Sequence, residues 1–135
     1  MCNQSVTNPL LEYIAYVGNK FTVEWYYYRR SRSQSFLYYK KLTIKERARL
    51  LSLFKRMGDV GELKDKTKFN YEGDKIYTFK VRPNRFLCFF FENKRIVITN
   101  AFKKKCKKLP AKEKTKALNG KKDYMLRIKE GKYYE

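Results

Sequence analysis

The 135-residue chain has no histidine, three prolines, three cysteines and six glycines. Without histidine it lacks the side chain most often used as a general base near neutral pH and the commonest metal ligand. Cys2, Cys88 and Cys106 form no C-x-x-C pair, so neither a zinc site nor any other cofactor is expected. An odd cysteine count without a secretory segment fits a reducing cytoplasm. None of the glycines builds a phosphate-cradling loop, and the carboxylates offer no pair with glycosidase logic. Long apolar runs are missing too. Leu10 to Val17 is too short and too charged to span a membrane, and no basic residues precede it as a signal peptide would require. There is no internal repeat and no linker long enough to split the chain, so one domain is expected.

Negative charge is the scarcest commodity. Thirteen Asp and Glu face 33 Lys and Arg, for a formal net charge of +20 and a pI near 9.9. Such an excess repels itself in a compact state and points to a polyanionic partner. A disordered basic tail is excluded by the 43% hydrophobic and 17% aromatic content, which supports a packed core. Charge is spread along the chain, net +11 over residues 1–102 and +9 over residues 103–135. The densest run is Lys103 to Lys108, five lysines broken only by Cys106. The plain alternative is a solvated basic face. A membrane-surface role lacks the long basic amphipathic helix it would need.

Pattern divides the chain as follows. A short helix is expected after Pro9. Phe21 to Tyr28, rich in aromatic and β-branched residues, reads as a strand, broken by Arg29 to Ser33. A short helix follows over Gln34 to Lys41. Thr43 and Glu46 fit a capping box, and Ile44, Ala48, Leu51, Phe54 and Met57 then recur at helical spacing, with Leu50 and Leu53 widening the stripe. Gly58 is the expected stop. Residues 58–75 read as a loop. Ile76 to Arg82 alternates, with Tyr77, Phe79 and Val81 on one face and Thr78, Lys80 and Arg82 on the other. Pro83-Asn84 reads as a turn, Arg85 to Glu92 as the central strand, Asn93-Lys94 as a hairpin turn and Arg95 to Phe102 as the returning strand. Pro110 opens a last helix to about Met125, weakened in its middle by Gly120. The helices are expected on one face of an antiparallel meander.

Alternation decides which charges converge. Lys80 lies opposite the core-facing residues of its strand, and Arg85 opens the next strand beyond a two-residue turn, so the two are expected on the same face. The strand ending at Phe102 delivers Lys103 to Lys105 to the rim of that sheet, with Tyr124 of the last helix nearby. Most of the twelve tyrosines are expected in packing. Cys88 reads as a small buried hydrophobe, and Cys106 as an incidental thiol with no histidine to activate it.

The order of these elements resembles the RelE/HigB superfamily of type II toxin–antitoxin toxins, in its phage-derived, HigB-like branch. The likeness spans roughly residues 21–126. It is carried by Ile76-Tyr77-Thr78-Phe79-Lys80-Val81, by Arg85 to Phe91, by Ile96 to Phe102, and by Lys104, Lys105, Lys108, Pro110, Glu113 and Ala117 ending at Asp123-Tyr124. It implies an α+β fold: a RelE-like antiparallel sheet with two N-terminal helices packed on it and a C-terminal helix, residues 1–20 being an extension and 21–135 the toxin domain. It implies a cytoplasmic, ribosome-dependent mRNA endoribonuclease, held inactive by a helix-turn-helix antitoxin, with no membrane partner. The implied chemistry is metal-free attack of a ribose 2′-hydroxyl on the adjacent phosphate. Carried over by position, Lys80 is the candidate general base or electrostatic stabiliser, and Arg85 binds the scissile phosphate. Lys104 or Lys105 donates the proton to the leaving oxygen, and Tyr124 stacks on a base or assists proton transfer. Arg82, Lys103, Lys107 and Lys108 complete the expected RNA-binding set. Two departures stand out. Asn100 occupies a position where the branch often has histidine, and Leu109-Pro110 replaces a tyrosine found in some relatives. A ParE-like inhibitor of gyrase and a basic RNA-binding module without catalysis are the alternatives.

Overall fold

Phe86 to Phe91 is apolar at every position and is buried or half-buried throughout, as a strand must be when both of its faces are covered. It forms part of β5, near the middle of a six-stranded sheet. A computed structural model describes residues 12–134. The elements run β1 (Ile14–Val17), β2 (Thr22–Trp25), α1 (Gln34–Lys41), α2 (Ile44–Val60), β3 (Phe69–Tyr71), β4 (Tyr77–Val81), β5 (Asn84–Phe91), β6 (Arg95–Lys103) and α3 (Ala111–Lys129). The sheet order is β1-β2-β6-β5-β4-β3. Every neighbouring pair is antiparallel except β2 and β6, which run parallel. The α+β class, the two helices preceding the meander and the C-terminal helix agree with the sequence expectation.

The helices do not share one face. On one side Phe54 of α2 meets Phe79 edge-on at 5.0 Å, and Tyr38 of α1 meets Phe86 at 5.6 Å. On the other side Tyr124 of α3 packs edge-on against Phe89 and Phe91 at 5.5 and 5.2 Å. The expectation of one covered face is corrected by β5 itself, which has no polar face to leave in water.

Local chemistry explains most boundaries. Ser33 caps α1, and Thr43 and Glu46 form the expected capping box at α2. Gly58 does not stop α2. It lies buried inside the helix, where its backbone touches the turn after β1: a Cβ on Gly18 would come within 2.2 Å of the Gly58 carbonyl carbon. The helix ends instead at Gly61, whose φ of 81° is the left-handed cap. The buried stripe of α2 is Leu50, Phe54, Met57 and Gly58, while Ile44, Ala48 and Leu51 face solvent. Two short strands escaped the pattern, β1 and β3. The helix expected after Pro9 lies outside the described residues as far as Leu11, and from Ile14 the chain is strand β1.

The two hairpins are shifted by one residue from expectation. Val81 pairs with Asn84, so Arg82 and Pro83 are the turn, with a cis peptide between them. Phe91 pairs with Arg95, so Glu92, Asn93 and Lys94 make a three-residue turn in which Glu92 and Asn93 have positive φ. Helix α3 runs through Gly120 to Lys129.

Candidate phosphate-binding site at the β4–β5 hairpin

The β4–β5 hairpin is clamped from the α1–α2 side. Tyr38 donates its hydroxyl to Asn84 Oδ1 at 2.6 Å, and Asn84 Nδ2 donates to Glu46 Oε2 at 2.9 Å. Glu46 is the capping carboxylate of α2, so one side chain fixes both the helix start and the hairpin. Its pKa is held below the usual carboxylate value by the Thr43 backbone N–H, with the Asn84 and Thr43 side chains contributing. Asn84 is almost completely buried. These bonds fix the register that follows.

In that register Lys80 and Arg85 are direct partners across the antiparallel ladder. Directly opposed residues project to the same face, with Cα atoms about 4.5–5.5 Å apart. The expected placement of both cations on one face therefore holds. Both are half-exposed. Lys80 Nζ donates to the Lys66 carbonyl at 3.0 Å. Burial pushes the Lys80 ammonium below the ordinary lysine value, and Arg85, Lys104 and Arg82 push it further, against Glu72. For Arg85, burial and Arg82 act downward, again against Glu72. Arg85 Nη1 donates to the Asn84 carbonyl at 3.1 Å. Its Nε is buried with no hydrogen-bond partner among the described residues. An unpaired buried donor on a cation is costly; an oxyanion can meet this guanidinium only through its accessible nitrogens, on the half-exposed side that lines the hairpin cavity.

The end of β6 completes the site. Beyond Trp25, where β2 stops, α1 takes over the outer edge of β6: Gln34 Nε2 donates to the Ala101 carbonyl at 2.8 Å and Gln34 Oε1 accepts from the Ala101 N–H at 2.7 Å. The Lys104 N–H then donates to the Pro83 carbonyl at 2.9 Å, lashing the lysine run to the hairpin turn. The result is an open cavity of about 390 Å3 lined by Arg82, Arg85, Lys104, Lys105, Cys106 and Lys107, with Pro83 at its side. Five cations converge there, with no lining carboxylate among the described residues.

Other expected residues fall elsewhere. Lys103 pairs with Asn84 and so projects to the face opposite Arg85, exposed to solvent. Lys108 is also exposed, its carbonyl accepting from Cys106 Sγ at 3.5 Å. Tyr124 is corrected outright. It is fully buried, and it packs four to six residues along β5 from Arg85, roughly 13–20 Å at strand rise. Its hydroxyl accepts from Arg95 Nη1 at 3.0 Å and shares a hydrogen bond with Tyr134 at 3.1 Å. Burial raises its pKa. A ring enclosed in this way cannot stack on a base. Asn100, at the histidine position of some relatives, is buried and donates from Nδ2 to the Glu113 carbonyl and Oε1, at 3.1 and 3.0 Å. It fastens the start of α3 to β6. Cys88 is fully buried, which pushes its thiol pKa well up, and Cys106 is exposed.

Glu72 was not foreseen. It accepts a hydrogen bond from Thr78 Oγ1 at 2.6 Å and is the carboxylate that opposes the downward shifts of Lys80 and Arg85. It follows β3, a three-residue strand with no periodic signature, so nothing in the sequence pattern aimed it at the site.

A family model described as phage-derived protein, Gp49-like, matches residues 38–122. The chain belongs to this Gp49-like family. The matched stretch begins inside α1 and ends inside α3, so it contains the hairpin, the lysine run and Asn100. The family is toxin-like, related to the RelE/HigB toxins and associated with toxin–antitoxin systems, which supports at family level a toxin that has a cognate antitoxin. A search of curated proteins returned no match. Among the described residues of this Gp49-like protein no helix is long and apolar enough to cross a membrane.

Proposed function

We propose that this Gp49-like protein is a ribosome-dependent mRNA endoribonuclease of the RelE/HigB kind, acting in the cytoplasm and restrained by a helix-turn-helix antitoxin. The observation that carries the reading is the Lys80–Arg85 pair, with Arg85 lining the open cationic cavity at the hairpin. Arg85 binds a non-bridging oxygen of the scissile phosphate. Lys80, disposed toward its neutral form by burial and neighbouring cations, takes the proton of the 2′-hydroxyl. The 2′-oxygen then bonds to phosphorus, the bond to the 5′-oxygen breaks, and Lys104 or Lys105 gives that oxygen a proton. The products are a 2′,3′-cyclic phosphate and a free 5′-hydroxyl. Arg82 and Lys107 hold the strand, and Lys103 and Lys108 add to the surrounding field. Fixed cations aimed at developing phosphorane charge supply much of such a rate enhancement.

Expression in cells with mapping of mRNA 5′ ends in the translating fraction tests this. New ends inside translated codons support it. DNA damage with intact mRNA selects the gyrase-poisoning alternative instead. Arrested growth with neither leaves a binding module, an alternative favoured by the lack of any histidine in the chain.

A further inference from the structure

A second and larger cavity, of about 770 Å3, lies between α2 and the β3–β4 edge. Its lining divides by chemistry. Leu53 and Val81 contribute apolar surface, Ser52 and Thr67 hydroxyls, and Arg49 and Lys68 add cations to Lys80 and Arg82. Among the described residues no carboxylate lines it. Two carboxylates of adjoining segments are already engaged. Asp65 accepts from the Thr67 hydroxyl and N–H, and Glu46 holds Thr43 and Asn84.

Arg82 lines this groove and the hairpin cavity alike. Lys80 joins them too, since it opposes Arg85 across the ladder while its ammonium reaches the Lys66 carbonyl at the groove side. We infer that the groove between α2 and β4 is an RNA subsite, taking the nucleotide next to the phosphate held at Arg85. The base lies on the apolar floor of Leu53 and Val81, and its phosphate meets Arg49 and Lys68. The inference rests on the reading of the hairpin as an RNA site. A volume of this size suits a nucleotide-sized ligand. Continuity through a shared arginine and an all-cationic rim favour a polyanionic strand over a protein segment.

The test uses the full chain and two uncleavable probes, a 2′-O-methyl RNA pentanucleotide and the corresponding dinucleotide. Binding is followed by fluorescence anisotropy at several salt concentrations. Two groove variants are compared with wild type, Arg49→Ala and the groove-filling Ser52→Trp, after thermal melts have shown both to be folded. Both positions are exposed on α2. The expected result is pentanucleotide binding about 5–10-fold weaker in each, with the salt slope of Arg49→Ala reduced by about 0.7, the value for one phosphate on a single strand. Dinucleotide binding stays as in wild type, and Arg85→Ala abolishes it. Unchanged pentanucleotide binding in the groove variants, with Arg85→Ala still impaired, overturns the subsite and leaves the hairpin site standing. Equal losses for both probes overturn it as well, because the groove then acts through the fold. Failure of wild type to bind either probe removes both readings together. An acidic amphipathic peptide displaced by Ser52→Trp, with RNA binding untouched, marks the groove as a protein surface and also overturns the inference.

Discussion

Lys80 and Arg85 are register partners across the β4–β5 hairpin, two cations on one face held within a single ladder rung. Their mutual repulsion is built in by backbone hydrogen bonding, and it bears on the protonation of the lysine before any substrate arrives.

The first prediction concerns pH. If neutral Lys80 is the base, cleavage rises with pH through its lowered pKa. Lys104→Met removes one of the neighbours that push this pKa down, so the rising limb should move to higher pH. Lys80→Met should cost on the order of 10²–10⁴-fold in rate, the usual contribution of a positioned base, and should flatten the limb. A rising limb that persists unmoved in Lys80→Met assigns the titration to another group.

The hairpin clamp gives the second. Asn84→Ala leaves Tyr38 and Glu46 without their shared partner. Stability should fall by about 1–3 kcal/mol in denaturant titrations, and cleavage should fall further than melting alone explains, because the turn holding Arg85 loosens. Glu46 adds an acid dependence. Its depressed folded pKa contributes stability that is present above its ordinary value of 4.5 and is lost as pH falls through the folded value. Glu46→Gln should therefore flatten the stability profile in that acid range.

Tyr124→Phe separates packing from chemistry. The ring contacts with Phe89 and Phe91 remain, while the hydroxyl bonds to Arg95 and Tyr134 vanish. Thermal melts should show a loss of about 1 kcal/mol, with cleavage per folded molecule unchanged. Tyr124→Ala should cost on the order of 3–5 kcal/mol. A selective loss of rate in Tyr124→Phe would return the residue to the site.

Gly18→Ala probes the contact that the pattern missed. The added methyl would sit 2.2 Å from the Gly58 backbone, where no flexible side chain can yield. The turn after β1 must move away from α2, at roughly 1–3 kcal/mol or more. Gly131→Ala, whose methyl meets nothing within 4 Å among the described residues, is a control for space but not for its positive φ.

Why some of this was legible and some was not follows from the range of the interactions. The Thr43–Glu46 box and the span of α1 are local, and local chemistry writes them directly into neighbouring residues. The Lys80–Arg85 placement needed only alternation and a short turn, and it survived a one-residue shift of that turn because such a shift moves each cross-strand partner by two residues and so keeps the face. By contrast, β1 and β3 are four and three residues long, too short for a period to register. Gly58 looked like a stop because its reason for being glycine lies forty residues away, at Gly18. The stripe of α2 was rotated for a similar reason. Ile44, Ala48 and Leu51 are spaced like a core face, yet the sheet takes Leu50, Phe54 and Met57. Tyr124 was drawn to the site by its place after the lysine run, whereas the direction of α3 along β5 carries it to the other end.

The central claim is that Arg85 binds the phosphate that is cut. Its most direct test is a translating system with one defined mRNA, comparing wild type with Arg85→Ala and recording both cleavage rate and end chemistry. Wild type should cleave to a 2′,3′-cyclic phosphate and a 5′-hydroxyl, and Arg85→Ala should lose at least about 10²-fold in rate with ribosome binding and thermal stability retained. Cleavage at an undiminished rate by folded Arg85→Ala, or intact mRNA with a toxic wild type, would contradict the claim.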